Sequence, residues 1–321
     1  MDLKNDSNKI LIFTILYLSL LVGFYYGENS SGGAYIDFLT RIHIIENFKD
    51  DFAGTFLNYD SYGDRHSPIL IMILSYLNII GINLDIIRFI NLNILPLLIL
   101  VSYKCLSLKY PNNDKNIIFF ISCVFFLSPS LRSIAIWPDS RLIGLLFFFC
   151  SIYFFLKFKI SHKYRYCIYS NLLLIFSSYI SPNFSIFFLY FIIYYIKILN
   201  DYRKLTIIIL ANIILTLPIL YYLFVLKVNF LTITAVSGAS FTSSMNMSNK
   251  ILIIGSFIFF YMIPFAINSY FIKTLIKNFK IRDFYISILI FFSFIIYFNY
   301  LPSYTGGGIF FKLSHFIFNN S

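Results

Sequence analysis

The chain has 321 residues, of which 59% are hydrophobic, 21% aromatic and only 12% charged; at a mean hydropathy of +0.79 it has too few polar residues to cover a soluble globular surface. Its apolar runs are continuous (IIFFISCVFFL, LLFFFCSIYFF), which excludes the alternating pattern of a transmembrane β-barrel and points to an all-α, polytopic transmembrane bundle. The formal net charge of +11 is no nucleic-acid signal, because sixteen cations and five acids in the N-terminal stretch and short linkers account for all of it, as the positive-inside rule expects of cytoplasmic segments.

With those basic linkers inside, the elements follow in order. Residues 10–26 form a first span from a cytoplasmic N-terminus. Tyr25-Tyr26 closes the run without a small-residue cleavage site, so it reads as a retained signal anchor. It delivers an external loop, residues 27–67, that holds seven of the fourteen acids: Glu28, Asp37, Glu46, Asp50, Asp51, Asp60 and Asp64. Within the loop Gly32-Gly33 permit a sharp turn. Asp37 then opens a stretch with Ile36, Leu39, Ile42, His43 and Ile45 at helical spacing, which predicts a short amphipathic helix on the membrane surface. The loop ends in Arg65-His66-Ser67-Pro68, at lipid head-group level.

Residues 68–103 return the chain once, the alternative being a hairpin that crosses twice and puts the lysines at 104–115 outside. A weak point lies at Gly81-Ile82-Asn83-Leu84-Asp85, so 69–80 is expected to enter obliquely and 86–101 to complete the crossing. Residues 117–130 exit, and 131–140 form an external turn with the only tryptophan, Trp137, and with Asp139 bracketed by Arg132 and Arg141. Spans at 141–158, 168–180, 184–196 and 206–224 follow, then an external loop at 225–250 and spans at 251–267 and 285–301. The total is about nine crossings with the C-terminus outside, in a single membrane domain, 1–321, without a soluble domain. Cys105, Cys123, Cys150 and Cys167 show no CxxC spacing and read as packing residues.

Polar groups at a membrane are costly unless used, so a bilayer protein that concentrates carboxylates in one loop is expected to place its chemistry there. Topology brings Asp37, Arg65, His66 and Asp139 to one external surface, at the ends of the first three crossings. Each also fits a structural role: Asp37 as a helix N-terminal charge, Arg65 and His66 as interfacial anchors, Trp137 as a belt residue, and Asp139 as an ion-pair partner of Arg141 or Arg132.

Taken together, Asp37 in the first external loop, His66-Ser67-Pro68-Ile69-Leu70, Gly81 with Arg88, Ser128-Pro129 and Trp137-Pro138-Asp139 resemble the GT-C superfamily of glycosyltransferases. The likeness is greatest to the protein O-mannosyltransferase and aminoarabinose-transferase branch and covers residues 10–160, with 161–321 supplying further spans. It departs from the family in having Ser67-Pro68 for the usual Pro-Pro and Arg65-His66 where an acid often stands. The resemblance implies an inverting transfer from a polyprenyl-phosphate-linked sugar to a lipid, glycan or protein acceptor at the external face of a bacterial inner membrane. It makes Asp37 the general base. Asp139 would orient the acceptor, or help hold a divalent metal where the branch uses one. Arg65, His66, Arg141 and Lys312 are the cations expected to meet the donor phosphate, with His315 a later candidate beyond Gly306-Gly307-Gly308. Two other classes stay open: a lipid-linked glycan polymerase or ligase, and a non-enzymatic transporter or flippase.

Overall fold

A computed structural model describes residues 3–30, 33–62, 67–199 and 201–224. The expected spans at 251–267 and 285–301, the loop at 225–250 and the C-terminal segment lie outside the described residues. Among the described residues all regular structure is helical. The order is α1 Leu3–Tyr25, α2 Ala34–Asp50, α3 Phe52–Leu57, α4 Ile69–Ile79, α5 Leu84–Leu92, α6 Ile94–Lys109, α7 Lys115–Cys123, α8 Pro129–Ile136, α9 Ser140–Ser161, α10 Tyr164–Ile180, α11 Phe187–Ile198 and α12 Tyr202–Phe224. Leu84–Lys109 and Ser140–Ser161 are each long and apolar enough to cross a membrane, and Lys115–Leu127 with Pro129–Ile136, bent by 64°, makes a third if the pair is one span. Lys9–Tyr25, Ile69–Ile79 and Pro182–Ile198 are shorter apolar helices.

Local chemistry sets the boundaries. α1 ends on Gly27 at φ +64, with Glu28 N–H bonded to the Gly23 carbonyl at 2.7 Å and Gly27 N–H to Phe24 at 3.1 Å. α4 ends the same way on Gly81 at φ +91, with Ile82 bonded to Leu77 and Gly81 to Asn78, both at 3.0 Å. Both are Schellman closures, which need a residue in the left-handed region and so favour glycine. The Gly81 stop fulfils the expected break, and Asn83 restarts the chain by accepting a bond from Ile86 N–H at 2.8 Å as the N-cap of α5.

One expectation is corrected. Residues 131–140 are not an exposed turn. Ser128 caps and Pro129 opens α8, whose Ser133, Ile134, Ala135 and Ile136 are buried, as are Trp137 and Asp139 beyond it. The expected helix after Gly33 is present as α2, and it packs on the bundle by a second face. Ile36 and Leu39 are 59% and 45% exposed, while Ala34, Phe38, Arg41, Ile45 and Phe48 are buried, a four-three repeat that forms a packing seam against α4 and α8.

The bundle core lies farther along the chain, where Phe148, Phe155 and Phe158 of α9 meet Cys167 and Leu174 of α10, Phe191 and Tyr195 of α11, and Ile208 of α12. The rings of Phe155 and Phe191 stack at 4.4 Å. Small polar residues let α9 and α10 approach closely. Ser151 and Ser170 each donate to the other's carbonyl, at 2.7 and 2.9 Å, and Ser177 donates to the Gly144 carbonyl at 2.7 Å. These bonds keep side-chain hydroxyls satisfied where no water reaches. The α9 axis thus has fixed neighbours along its length, and its N-terminus is where the polar residues of the first loop converge.

Candidate functional site

Asp139 is the N-cap of α9 and is only 1% exposed. Four donors surround its carboxylate. Oδ1 accepts from the Arg141 backbone N–H and from Arg141 Nε, both at 2.8 Å. Oδ2 accepts from Arg141 Nη2 at 3.0 Å and from Arg41 Nη1 at 3.3 Å. A carboxylate offers about four lone-pair positions, so Asp139 is filled by the protein's own donors. Burial is the largest single influence on it and pushes its pKa up. The hydrogen bond and charge of Arg141, the charge of Arg41 and the Arg141 backbone N–H together hold it well below the ordinary carboxylate range.

Asp37 lies in the first turn of α2, one turn before Arg41 on the same helix. Its Oδ2 is 3.8 Å from Arg141 Nη2, with the side chains of Asp37 and Arg141 32% and 48% exposed. Arg141 therefore stands between two unlike carboxylates, one sealed and one open. The sealed one grips the Nε/Nη2 edge of the guanidinium and leaves Nη1 for another partner.

Around this cluster the loop is fastened to the bundle. Glu28, just past α1, takes Arg132 Nε at 2.8 Å and Nη2 at 2.5 Å, and Arg132 Nη2 also donates to the Ser19 carbonyl at 3.0 Å. The Arg132 hydrogen bond is the main cause of a lowered Glu28 pKa. Trp137 donates from its indole N–H to the Glu28 carbonyl at 3.0 Å. Its ring lies 3.8 Å beneath the Arg88 guanidinium and 4.6 Å from the Tyr35 ring, contacts of cation–π and aromatic type. Arg88 Nε reaches the Ile136 carbonyl at 3.3 Å. Asn91 Nδ2 bonds the Ile134 and Ala135 carbonyls at 2.9 and 2.7 Å, so α5 supplies donors to the end of α8, whose last carbonyls lack intrahelical partners.

Of the residues singled out from the sequence, the structure brings Asp37, Asp139 and Arg141 into one cluster. Arg65, His66, Lys312 and His315 lie outside the described residues. His43 is instead 3.3 Å from Asn47 and 6.3 Å from the Tyr62 ring. Sequence reasoning missed Arg41 as the second cation on Asp139 and Glu28 as the partner of Arg132, neither of which local spacing reveals. The residues do not fit a divalent metal. Asp139 has no lone pair to offer, and among the described residues no group of three His, Cys, Asp or Glu side chains gathers as a metal site would require. Comparison with family models, with curated proteins and with solved structures finds no match.

Proposed function

We propose that the chain is a membrane glycosyltransferase that moves a sugar from a polyprenyl-phosphate donor to an acceptor at the external face. The observation that carries the reading is the division of labour between the two carboxylates. Asp139 is saturated and serves to hold Arg41 and Arg141, while Asp37, 3.8 Å from Arg141 and 32% exposed, keeps room for a reactant. Pairs of carboxylates set apart by environment are the usual way one site separates a base from a stabilising charge.

In the proposed reaction the acceptor hydroxyl or amine gives its proton to Asp37 as its heteroatom attacks the anomeric carbon. The bond from that carbon to the phosphate oxygen breaks on the opposite face, and the electron pair leaves on the polyprenyl phosphate. Arg141 meets the growing phosphate charge through the part of its guanidinium that Asp139 does not use. The proton on Asp37 then passes to solvent. Because Asp139 fixes Arg141 beforehand, that charge need not reorganise during transfer.

The proposed setting is a multi-pass arrangement of about nine crossings, in a bacterial inner membrane, with the N-terminus cytoplasmic and the C-terminus external. In support, α9 runs from the cluster for 22 residues, about 33 Å at 1.5 Å per residue, and ends among lysines.

Membrane vesicles carrying the full chain, supplied with a radiolabelled polyprenyl-phosphate sugar, test the reading. The wild type is expected to transfer label to a lipid, glycan or protein fraction, and Asp37→Asn, inserted to the same level, to transfer none. Undiminished transfer by Asp37→Asn removes the base. Label that crosses the bilayer still attached to its carrier assigns the chain to transport instead.

A further inference from the structure

The end of the bundle opposite the Asp37–Asp139 cluster carries a second polar assembly of a different kind. Two helix hairpins meet there. The first turns at His162, in the left-handed region at φ 54, and bears Lys157, Lys159, Lys163 and Arg165. The second turns between α11 and α12 and bears Lys197, Arg203 and Lys204. The hairpins abut, for Tyr164 donates from its hydroxyl to the Lys204 carbonyl at 3.0 Å.

The one acid in these segments, Asp201, is taken by Lys204 at 3.0 Å, which with the Lys204 and Arg203 backbone N–H groups lowers its pKa. Three of the other six cations lie against aromatic rings. Lys157 Nζ lies 4.6 Å from the Tyr153 ring and 5.5 Å from that of Tyr166. Lys159 lies 5.9 Å from Tyr194, across the two hairpins. Arg165 lies 5.0 Å from Tyr166. A ring attracts a cation without neutralising it. The assembly is therefore ordered yet keeps a surplus of six positive charges, at the C-terminal end of an apolar helix long enough to cross a membrane. A salt-bridged helix end would have spent that charge internally, and a merely solvated one would not hold lysines on rings from two hairpins.

We infer that this tyrosine-backed basic face is a binding site for anionic phospholipid head groups, the acyl chains lying along the apolar flanks of α9 to α12. Each lysine or arginine near such a surface contributes roughly a fivefold gain in affinity, and tyrosine rings suit the same depth of the bilayer. A lipid held across the two hairpins would tie the α9–α10 pair to the α11–α12 pair.

The test is lipid retention by the purified full chain. The protein in dodecyl maltoside is incubated with an equimolar mixture of phosphatidylglycerol and phosphatidylcholine, separated by size exclusion, and its bound lipid counted by native mass spectrometry. Phosphatidylglycerol is expected to dominate, and Lys157→Gln, Lys159→Gln and Arg165→Gln each to weaken retention about fivefold. The charge-keeping Lys157→Arg and Lys159→Arg should retain it, which separates lost charge from lost folding. Lys104→Gln, outside the two hairpins, should have no effect. Equal retention of the two lipids, or full retention by the triple Gln variant, overturns the site. Displacement by millimolar inorganic phosphate, but not by chloride of equal ionic strength, overturns the assignment to a lipid. Asp37→Asn keeps wild-type retention, so loss of sugar transfer and loss of lipid binding are separate failures.

Discussion

Arg41 and Asp139 stand 98 positions apart in the chain and form a buried ion pair, Nη1 to Oδ2 at 3.3 Å, with side chains 4% and 1% exposed. Arg41 occupies a central place on the packing seam of α2, where its neighbours in the repeat are Phe38 and Ile45. A guanidinium there is tolerated because α9 presents a carboxylate at its N-cap. Removing one partner of such a pair leaves an uncompensated buried charge, at a cost of about 3–5 kcal/mol. Asp139→Asn is expected to cost that much, since both Arg41 and Arg141 lose the Asp139 carboxylate. Arg41→Met should cost less, because Asp139 keeps Arg141. Thermal unfolding of the detergent-solubilised variants measures both, and equal losses would show that Arg41 matters to Asp139 as much as Arg141 does.

Asp139, held chiefly by Arg141 with Arg41 behind it, and Glu28, held by Arg132, set a pH dependence. The folded pKa of Asp139 is depressed from an ordinary 3.8, and that of Glu28, mainly through its bond to Arg132, from an ordinary 4.5. A depressed carboxylate contributes stability that is fully present above its unfolded pKa and lost as pH falls through the folded one. Melting temperature should therefore owe nothing to these groups' titration from pH 7 down to about pH 5, then fall progressively in more acid solution. The acid decline should be shallower in Asp139→Asn. A wild-type curve that falls between pH 7 and pH 5 and flattens in that variant would contradict the depressed value.

Arg141 has a planar fork that Asp139 grips along one edge while Nη2 also faces Asp37. Lysine keeps the charge but cannot make both contacts. On the proposed reaction, Arg141→Lys is expected to lower kcat about 10- to 100-fold, the equivalent of a charged hydrogen bond, with a smaller rise in the KM for the polyprenyl-phosphate sugar. Initial rates over a range of donor concentration give the split. A KM that rises while kcat is unchanged would move Arg141 from meeting the transition-state charge to holding the donor alone.

The helices themselves were legible because a long apolar run in a chain this poor in charge has few other choices. α9 at 140–161 overlaps the expected 141–158, and α10 at 164–180 the expected 168–180. The Gly81 break was legible too, since glycine followed by Asn83 carries its own stop and start chemistry. The seam by which α2 packs on the bundle was not. Ile36 and Leu39 mark one stripe as plausibly as Phe38, Ile45 and Phe48 mark another, and the charged Arg41 disguises the true seam. The burial of residues 133–137 was equally hidden, because Arg132 and Trp137 look like surface residues until Glu28 and Arg88 are brought to them from other parts of the chain. Asp37, Asp139 and Arg141 were picked out, and the Asp139–Arg141 bond spans only two positions, but the placing of Arg41 on Asp139 and of Asp37 beside Arg141 depends on long-range packing that no local spacing encodes.

Trp137 offers an optical test of that packing, because it is the only tryptophan in the chain. It is 8% exposed, covered on one side by Arg88 at 3.8 Å and near the Tyr35 ring at 4.6 Å. Its emission should be blue-shifted and weakly quenched by acrylamide. Arg88→Gln takes away a cation–π contact and the bond to the Ile136 carbonyl, a combined loss of about 2 kcal/mol, and should shift the emission to the red and raise quenching. Tyr35→Ala should do the same to a smaller degree, because Phe38 still lies 5.9 Å from the indole. If the Arg88→Gln spectrum matches the wild type, the guanidinium does not cover the ring. Since Trp137 lies two residues before Asp139 and bonds the Glu28 carbonyl, such a result would also undo the frame that sets Asp139 against Arg41.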